Sequence, residues 1–260
     1  MFELMQGDCL ELMKQIPDES VDLFVSSPPY NIGKPYEKRS SANDYLLWHK
    51  QIVIQAERVL RDGGAIAWQV GNYIEKGSVF PIDCMVFGQF TDLGLRPRNR
   101  IIWTFGHGLH CSKRYSGRHE TILLFTKGDK YLFNLDAVRV PQKFPGKRHY
   151  KGPKKGQLSG NPLGKNPGDV WDISNVKNNH PEKTSHPCQF PEAIAERLIL
   201  SLSNEGDVVI DPFMGSGTTG AACANTGRNF IGMEMDEKYF EIAKNRVESA
   251  YSKNELEELK

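Results

Sequence analysis

A glycine-rich turn close to the end of the chain constrains the fold more than any other feature. Asp211-Pro212-Phe213-Met214-Gly215-Ser216-Gly217-Thr218-Thr219-Gly220 follows a short apolar strand, Val208-Val209-Ile210, and runs into a small-residue helix from Gly220 to Ala224. Strand, glycine turn and helix start together form a seat for an adenosine-bearing cofactor, because backbone N–H groups are unpaired there and no Cβ blocks the approach. Gly220 is followed by only 40 of the 260 residues, room for one helix, one strand and another helix. A doubly wound sheet needs two βαβαβ halves. The rest of the sheet must therefore come from earlier in the chain, and the order of elements is permuted.

The spacing Gly215-x-Gly217-x-x-Gly220 is a weak signal alone, since any tight strand-to-helix turn uses such glycines. The next strand, Arg228 to Glu234, strengthens it by ending in an acid. Asp211 and Glu234 are 23 positions apart, close to the ~20 expected for a carboxylate that grips a ribose diol. The alternative for Glu234 is a solvated strand-end acid. Asp211 stands at the mouth of the turn, where a phosphate would be repelled and a cationic ammonium or sulfonium group attracted. S-adenosylmethionine meets these demands better than NAD.

A second segment carries the chemistry. Val21 to Ser26 reads as a strand stopped by Pro28-Pro29. Proline lacks an N–H and fixes φ, so Ser27-Pro28-Pro29-Tyr30 is a rigid corner that exposes carbonyl oxygens. An exocyclic base amine donates two protons, and the Ser27 hydroxyl with the Pro28 carbonyl supplies two acceptors. Holding those protons localises the nitrogen lone pair for attack on a methyl group, and Tyr30 stacks on a base turned out of the helix. Alone, the tetrapeptide reads equally as an ordinary strand-ending turn; its pairing with the glycine turn gives it meaning.

On these two segments the chain resembles the amino-directed DNA methyltransferases, which methylate cytosine N4 or adenine N6. Ser27 to Tyr30 resembles the catalytic motif and Asp211 to Thr219 the cofactor motif, and their order resembles the family's β group. Gly7-Asp8-Cys9 is similar to the adenine-contacting acid segment, and Arg118 to Lys127 to the late strand motif. His186-Pro187-Cys188-Gln189-Phe190-Pro191 resembles a His-Pro-Thr-Gln-Lys-Pro motif; Phe190 replaces its lysine, which puts a charge contact from that position in question. The resemblance implies a Rossmann-like, doubly wound, mostly parallel α/β sheet of the S-adenosylmethionine-dependent methyltransferase type, with circularly permuted motif order. It implies cofactor contacts from Asp8, Cys9, Gln189, Asp211, Phe213, Gly215, Ser216, Gly217, Thr218 and Glu234. Ser27, Pro28, Pro29 and Tyr30 are the implied catalytic set, with no metal. In the family Ser-Pro-Pro-Tyr leans toward cytosine N4.

Composition agrees. A chain of 260 residues buries a substantial core, and no apolar run is long enough to span a membrane. The N-terminus lacks a signal-type segment. Five scattered cysteines without a Cys-x-x-Cys argue against zinc and disulfides and suit a reducing cytoplasm of a prokaryote or phage host. Asp8 caps a short helix ending near Pro17. A helix runs from Tyr45 to Leu60, with Leu46, Leu47, Ile54 and Val59 at helical spacing and Gly63-Gly64 closing it. Ala65 to Val70 is a strand, Phe80 to Leu93 a helix, Ile101 to Phe105 and Thr121 to Phe125 two strands, and Glu192 to Leu202 an amphipathic helix.

Residues 1–128 and 185–260 thus form the catalytic and cofactor-binding domain, and 129–184 an inserted recognition region. Net charge is only +1, so DNA affinity must be local. Lys143, Lys147, Arg148, Lys151, Lys154, Lys155 and Lys165 lie in a stretch without an acid, punctuated by glycine and proline. Neutralising the phosphates of double-stranded DNA is the natural use of that charge, a solvated loop the alternative. Lys113 and Arg114, in the loop Gly106 to Tyr115, are a second DNA-contacting candidate, and His107 and His110 there read as polar contacts. Two competing functions remain: a cytosine C5 methyltransferase with Cys188 as nucleophile, and a non-catalytic DNA-binding module. Expected partners are DNA and a restriction endonuclease of the same system, with the protein a monomer or homodimer and no membrane association.

Overall fold

The structure, a computed structural model, describes residues 1–34, 37, 39–108 and 110–258, with side chains through residue 254. Strands and helices alternate: β1 (Phe2–Gln6), α1 (Cys9–Leu12), β2 (Val21–Ser26), α2 (Ala42–Val59), β3 (Leu60–Val70), β4 (Asn72–Glu75), β5 (Ser78–Pro81) and α3 (Ile82–Thr91). Then follow β6 (Arg96–Thr104), β7 (His119–Thr126), β8 (Val170–Asp172), α4 (Glu192–Leu202), β9 (Val208–Asp211), α5 (Thr218–Asn225), β10 (Asn229–Glu234) and α6 (Glu237–Glu258).

Eight strands form one sheet in the order β1-β10-β9-β2-β3-β7-β6-β8, and β4 and β5 make a separate hairpin. All neighbours from β1 to β3 are parallel. β7 runs antiparallel to both β3 and β6, and β8 returns parallel to β6. The expected mostly parallel, doubly wound sheet is present, and its permutation is visible: β10, near the end of the chain, lies beside β1.

Parallel strands covered on both faces read as continuous apolar runs, and every residue of β2 is buried. One core packs α1, α2 and α3 on the sheet through Met13, Ile52, Trp68, Val86, Phe90 and Phe125. The other packs α4, α5 and α6 through Val25, Leu198, Ala222, Phe230 and Val247. Ile194, Leu198, Ile199 and Leu202 on α4 are almost fully buried, each stabilising by roughly 1.5–3 kcal/mol.

Three sequence expectations are corrected. Gly63-Gly64 does not close α2: the helix ends at Val59, the chain passes directly into β3, and both glycines lie inside that strand at a register shift against β2. Leu47 and Ile54 face solvent, 63% and 41% exposed; the buried stripe of α2 is Tyr45, His49, Ile52, Val53, Ala56 and Val59. The helix expected from Phe80 starts at Ile82, because Phe80 belongs to the β4–β5 hairpin. Asp8 does cap α1, its Oδ1 accepting from the Leu10 N–H at 2.8 Å.

Candidate active site

β2 and β9 are hydrogen-bonded neighbours, Leu23 beside Val209 and Phe24 beside Ile210. The connection after β2 leads through α2 to β3 on one side, and that after β9 leads through α5 to β10 on the other. This is the point where strand order reverses, and ligands of open α/β sheets bind outside the strand ends there. The corner Ser27-Tyr30 leaves the end of β2 and the glycine turn leaves the end of β9, so sheet topology brings together segments far apart in sequence. A buried hydrogen bond ties them: Ser26 Oγ donates to Asp211 Oδ1 at 2.5 Å.

Both segments line a cavity of about 440 Å³. Its wall includes Ser27, Pro28, Pro29 and Tyr30 from one side and Phe213, Gly215, Ser216 and Thr218 from the other, with Asp8, Cys9, Gln189 and Glu234 at the flanks. Asp211 and Gly217 do not line it. Asp211 is 1% exposed and accepts from Ser26, from Thr219 Oγ1 at 2.7 Å and from the Phe213 N–H at 3.0 Å. The expectation that it faces a cationic ligand is corrected: it braces the turn from behind. Burial raises its pKa to about 6, against the pull of those three hydrogen bonds. Gly217, with φ +76°, caps α5; a Cβ there would lie 3.0 Å from the Ala243 Cα and carbonyl oxygen. It lets α6 approach the turn.

Glu234 is placed as its spacing suggests, at the end of β10 in the cavity wall. Oε2 accepts from the Gly215 N–H at 3.0 Å and Oε1 from the Asp236 N–H at 2.9 Å, leaving lone pairs for a diol. Burial raises its pKa. Gly215 lies under the buried His186 ring, 3.2 Å from where a Cβ would stand. Burial lowers the His186 pKa to about 4, so a neutral imidazole covers the turn, its ring edge-on to Tyr239 at 4.6 Å. Gln189 reaches the cavity while bracing its own loop, accepting from the Thr184 N–H and donating to the Glu182 carbonyl. Burial pushes the Cys9 thiol up to about 12.

The diproline corner is held from three sides. Tyr45 on α2 donates to the Pro29 carbonyl at 2.9 Å. No donor among the described residues takes the Pro28 carbonyl, which leaves it for a ligand. Beyond the corner, Asn31 exchanges hydrogen bonds with Ser40, and Glu37 accepts from the Asn31 and Ile32 N–H groups at 2.8 and 2.7 Å.

Several lining residues carried no assigned role in the sequence reading. Glu120 on β7 accepts from Tyr30 Oη at 3.2 Å and from Gln69 Nε2; an acid at the head of an apolar strand was the visible signal. Trp48 packs against Phe213 at 5.6 Å. Asn175 Oδ1 is buried in the cavity wall with no hydrogen-bond partner among the described residues. Arg246 on α6 donates to Thr218 Oγ1 at 3.1 Å and pairs with Glu192, clamping the turn to α4.

The expected DNA contacts lie outside the cavity. Lys113, Arg114, Lys143, Lys147, Arg148, Lys151, Lys154 and Lys155 are all exposed. The loop carrying Lys113 joins β6 to β7, and Leu109 within it lies outside the described residues. The longer basic stretch folds back on itself through bridges Val140–Lys165 and Arg148–Leu158, before β8 joins the sheet beside β6. Thr104 at the end of β6 pairs with both His119 and Asp172, so both excursions open at one strand end beside the cavity. Among the described residues no cluster of three metal-ligating side chains occurs, and no helix is long and apolar enough to cross a membrane.

Such a cavity at the switch point of a permuted α/β sheet is the site of an amino-directed DNA methyltransferase. The chain belongs to the N6/N4 DNA methylase family, whose profile matches residues 21–245. It is 51% identical to the Type II methyltransferase M.BglII of Bacillus subtilis over 93% of this chain and 67% of that protein. It is 36% identical to the DNA adenine methyltransferase YhdJ of Escherichia coli (strain K12), over 99% of this chain and 87% of that one. The fold matches TTHA0409, a DNA modification methylase of Thermus thermophilus solved in complex with S-adenosyl-L-methionine, at 27% identity and a TM-score of 0.69, covering 96% of both chains. A cytosine-N4-specific PvuII DNA methyltransferase shares the fold with a TM-score of 0.77 at 21% identity, covering 97% of this chain and 92% of that one. Membership in the amino-methylating family removes the C5 reading built on Cys188.

Proposed function

We propose that the protein transfers a methyl group from S-adenosylmethionine to an exocyclic amine of a base turned out of double-stranded DNA, cytosine N4 rather than adenine N6. One observation carries the reading: the Ser27–Tyr30 corner and the Phe213–Thr218 turn leave adjacent parallel strands and wall the same cavity. The residues fit the cofactor. Glu234 offers free lone pairs for a ribose, Phe213 and Trp48 an apolar wall, and the Asn175 oxygen an acceptor without a partner.

When bound, S-adenosylmethionine supplies an electrophilic methyl group. The chain supplies position and polarity. Phe213, Gly215, Ser216 and Thr218 seat the cofactor, Glu234 holds its ribose, and Asp8 with Cys9 and Gln189 lines the adenine end. Ser27 Oγ and the Pro28 carbonyl accept the two amine protons of the target base. The Tyr30 ring stacks on that base. Residues 129–184 and the loop carrying Lys113 and Arg114 grip the phosphates. The serine at the head of the corner favours cytosine. Type II relatives support a companion restriction endonuclease and action on DNA in a bacterial cytoplasm.

Nucleoside mass spectrometry of DNA treated with the protein and S-adenosylmethionine tests this. N4-methylcytosine is expected. N6-methyladenine would overturn the choice of base, and 5-methylcytosine the amino chemistry.

A further inference from the structure

Glu120 is a buried acid beside the catalytic corner for which amine capture by Ser27 and Pro28 has no use. It sits at the end of a chain of hydrogen bonds. Ser27 Oγ and Tyr30 Oη are 3.2 Å apart, and Tyr30 Oη donates to Glu120 Oε2 at 3.2 Å. The same carboxylate oxygen accepts from Gln69 Nε2. An ionised carboxylate only accepts. Tyr30 must therefore spend its single proton on Glu120, its oxygen is left to accept the Ser27 proton, and Ser27 Oγ is left with lone pairs toward the cavity. The charge on Glu120 thus sets the direction of every bond in the row and turns Ser27 into the acceptor that an amine requires.

We propose that Ser27, Tyr30 and Glu120 form a proton relay that carries away the proton released by the methylated base amine, with Glu120 as its terminal acceptor. The inference rests on the amino-methylation reading. After the methyl group has arrived, the base nitrogen carries four bonds and a positive charge. One N–H bond breaks and its electron pair returns to nitrogen. The proton goes to Ser27 Oγ, the Ser27 proton to Tyr30 Oη, and the Tyr30 proton to Glu120 Oε2. Both hydroxyls are regenerated and Glu120 ends as a neutral acid, returning its proton to water when the cavity opens. Bond lengths of 3.2 Å are long for hydroxyl pairs, and rows of this kind tighten when substrate is bound. Gln69 and Glu120 stand on β3 and β7, which are paired strands, so the end of the relay is fixed by the sheet. Burial raises the Glu120 carboxyl above its ordinary range, against the pull of Tyr30 and Gln69, which makes it a better acceptor.

Two variants test the relay. Glu120→Gln keeps an acceptor oxygen at nearly the same shape but removes the base, and Tyr30→Phe keeps the ring but cuts the row in the middle. Each is expected to lower kcat by about a hundredfold with KM for DNA unchanged. Isothermal titration is expected to give both variants the wild-type affinity for S-adenosylmethionine. The double variant is expected to fall within roughly twofold of either single one, since a row broken once loses nothing from a second break. Undiminished kcat in either variant, or losses that multiply in the double one, would overturn the relay. Weakened cofactor binding in Glu120→Gln would also overturn it, by giving that carboxylate a structural role. Should Glu120→Gln not fold, Tyr30→Phe carries the test by the same measures. Wild-type protein is assayed alongside for N-methylated nucleoside. Its absence removes the amino-methylation reading itself, whereas its presence with undiminished variants removes only the relay.

Discussion

Tyr30 shows how one side chain serves two ends: its ring faces the cavity and its hydroxyl joins Ser27 to Glu120. Tyr30→Ala removes both, and turnover is expected to fall by about a hundredfold, the cost of misplacing a reacting group by about an ångström. Titration is expected to find the cofactor still bound, because the glycine turn is built without Tyr30; equal loss of both would count against the stacking role. Cys188, exposed in the cavity wall, is the converse case. Amine methylation needs no covalent intermediate, so Cys188→Ser is expected to hold the wild-type rate to within roughly twofold in a methyl-incorporation assay. The residues legible in the sequence were those whose backbone role shows in the letters: prolines that stop a strand, glycines that turn it. Glu120, Gln69 and Asn175 were not, because their role depends on which strands lie side by side. Asp211 was misread for the same reason: position before a turn does not reveal whether a carboxylate faces the ligand or the core.

At the scale of elements, the glycine turn is held from behind by Asp211 and from the side by α6. A Gly217→Ala substitution places a Cβ against the Ala243 backbone at a left-handed φ, and is expected to cost about 1–3 kcal/mol in denaturant unfolding. Asp211 gives a pH signature. Its folded pKa of about 6 exceeds the ordinary value of 3.8, so the folded state holds the proton more tightly than the unfolded one. Stability from this group is greatest below the unfolded pKa and is lost as pH rises through the folded one. Comparing wild type with Asp211→Asn, the difference is expected to shift toward the wild type by up to about 1.4 kcal/mol per unit as pH falls from about 6 to about 4. A difference that does not change with pH would place the proton elsewhere. Among the elements, α4 and α5 were legible from periodicity and small residues. β8 was not, because its three residues are too few to show a period, and the bounds of α2 shifted because Leu60 begins a strand where glycines later in the sequence suggested a helix end.

Across the whole molecule, charge is separated from chemistry: the cavity carries few cations, while both basic excursions leave from the end of β6. Replacing Lys147, Lys151, Lys154 and Lys155 by alanine is expected to weaken DNA binding at every sequence. The slope of log affinity against log salt should become shallower by roughly 0.9 for each lysine that neutralises a phosphate, with turnover at saturating DNA retained. An unchanged slope would make the stretch a solvated loop. The permuted sheet has a further consequence. Phe2 on β1 pairs with Phe230 on β10, and β10 is the sheet neighbour β1 has. During synthesis at about 5–20 residues per second, β1 must wait roughly ten to fifty seconds for its partner to leave the ribosome. A nascent chain of this topology carries an open strand edge through nearly all of its translation, and chaperone dependence is expected to concentrate on that interval.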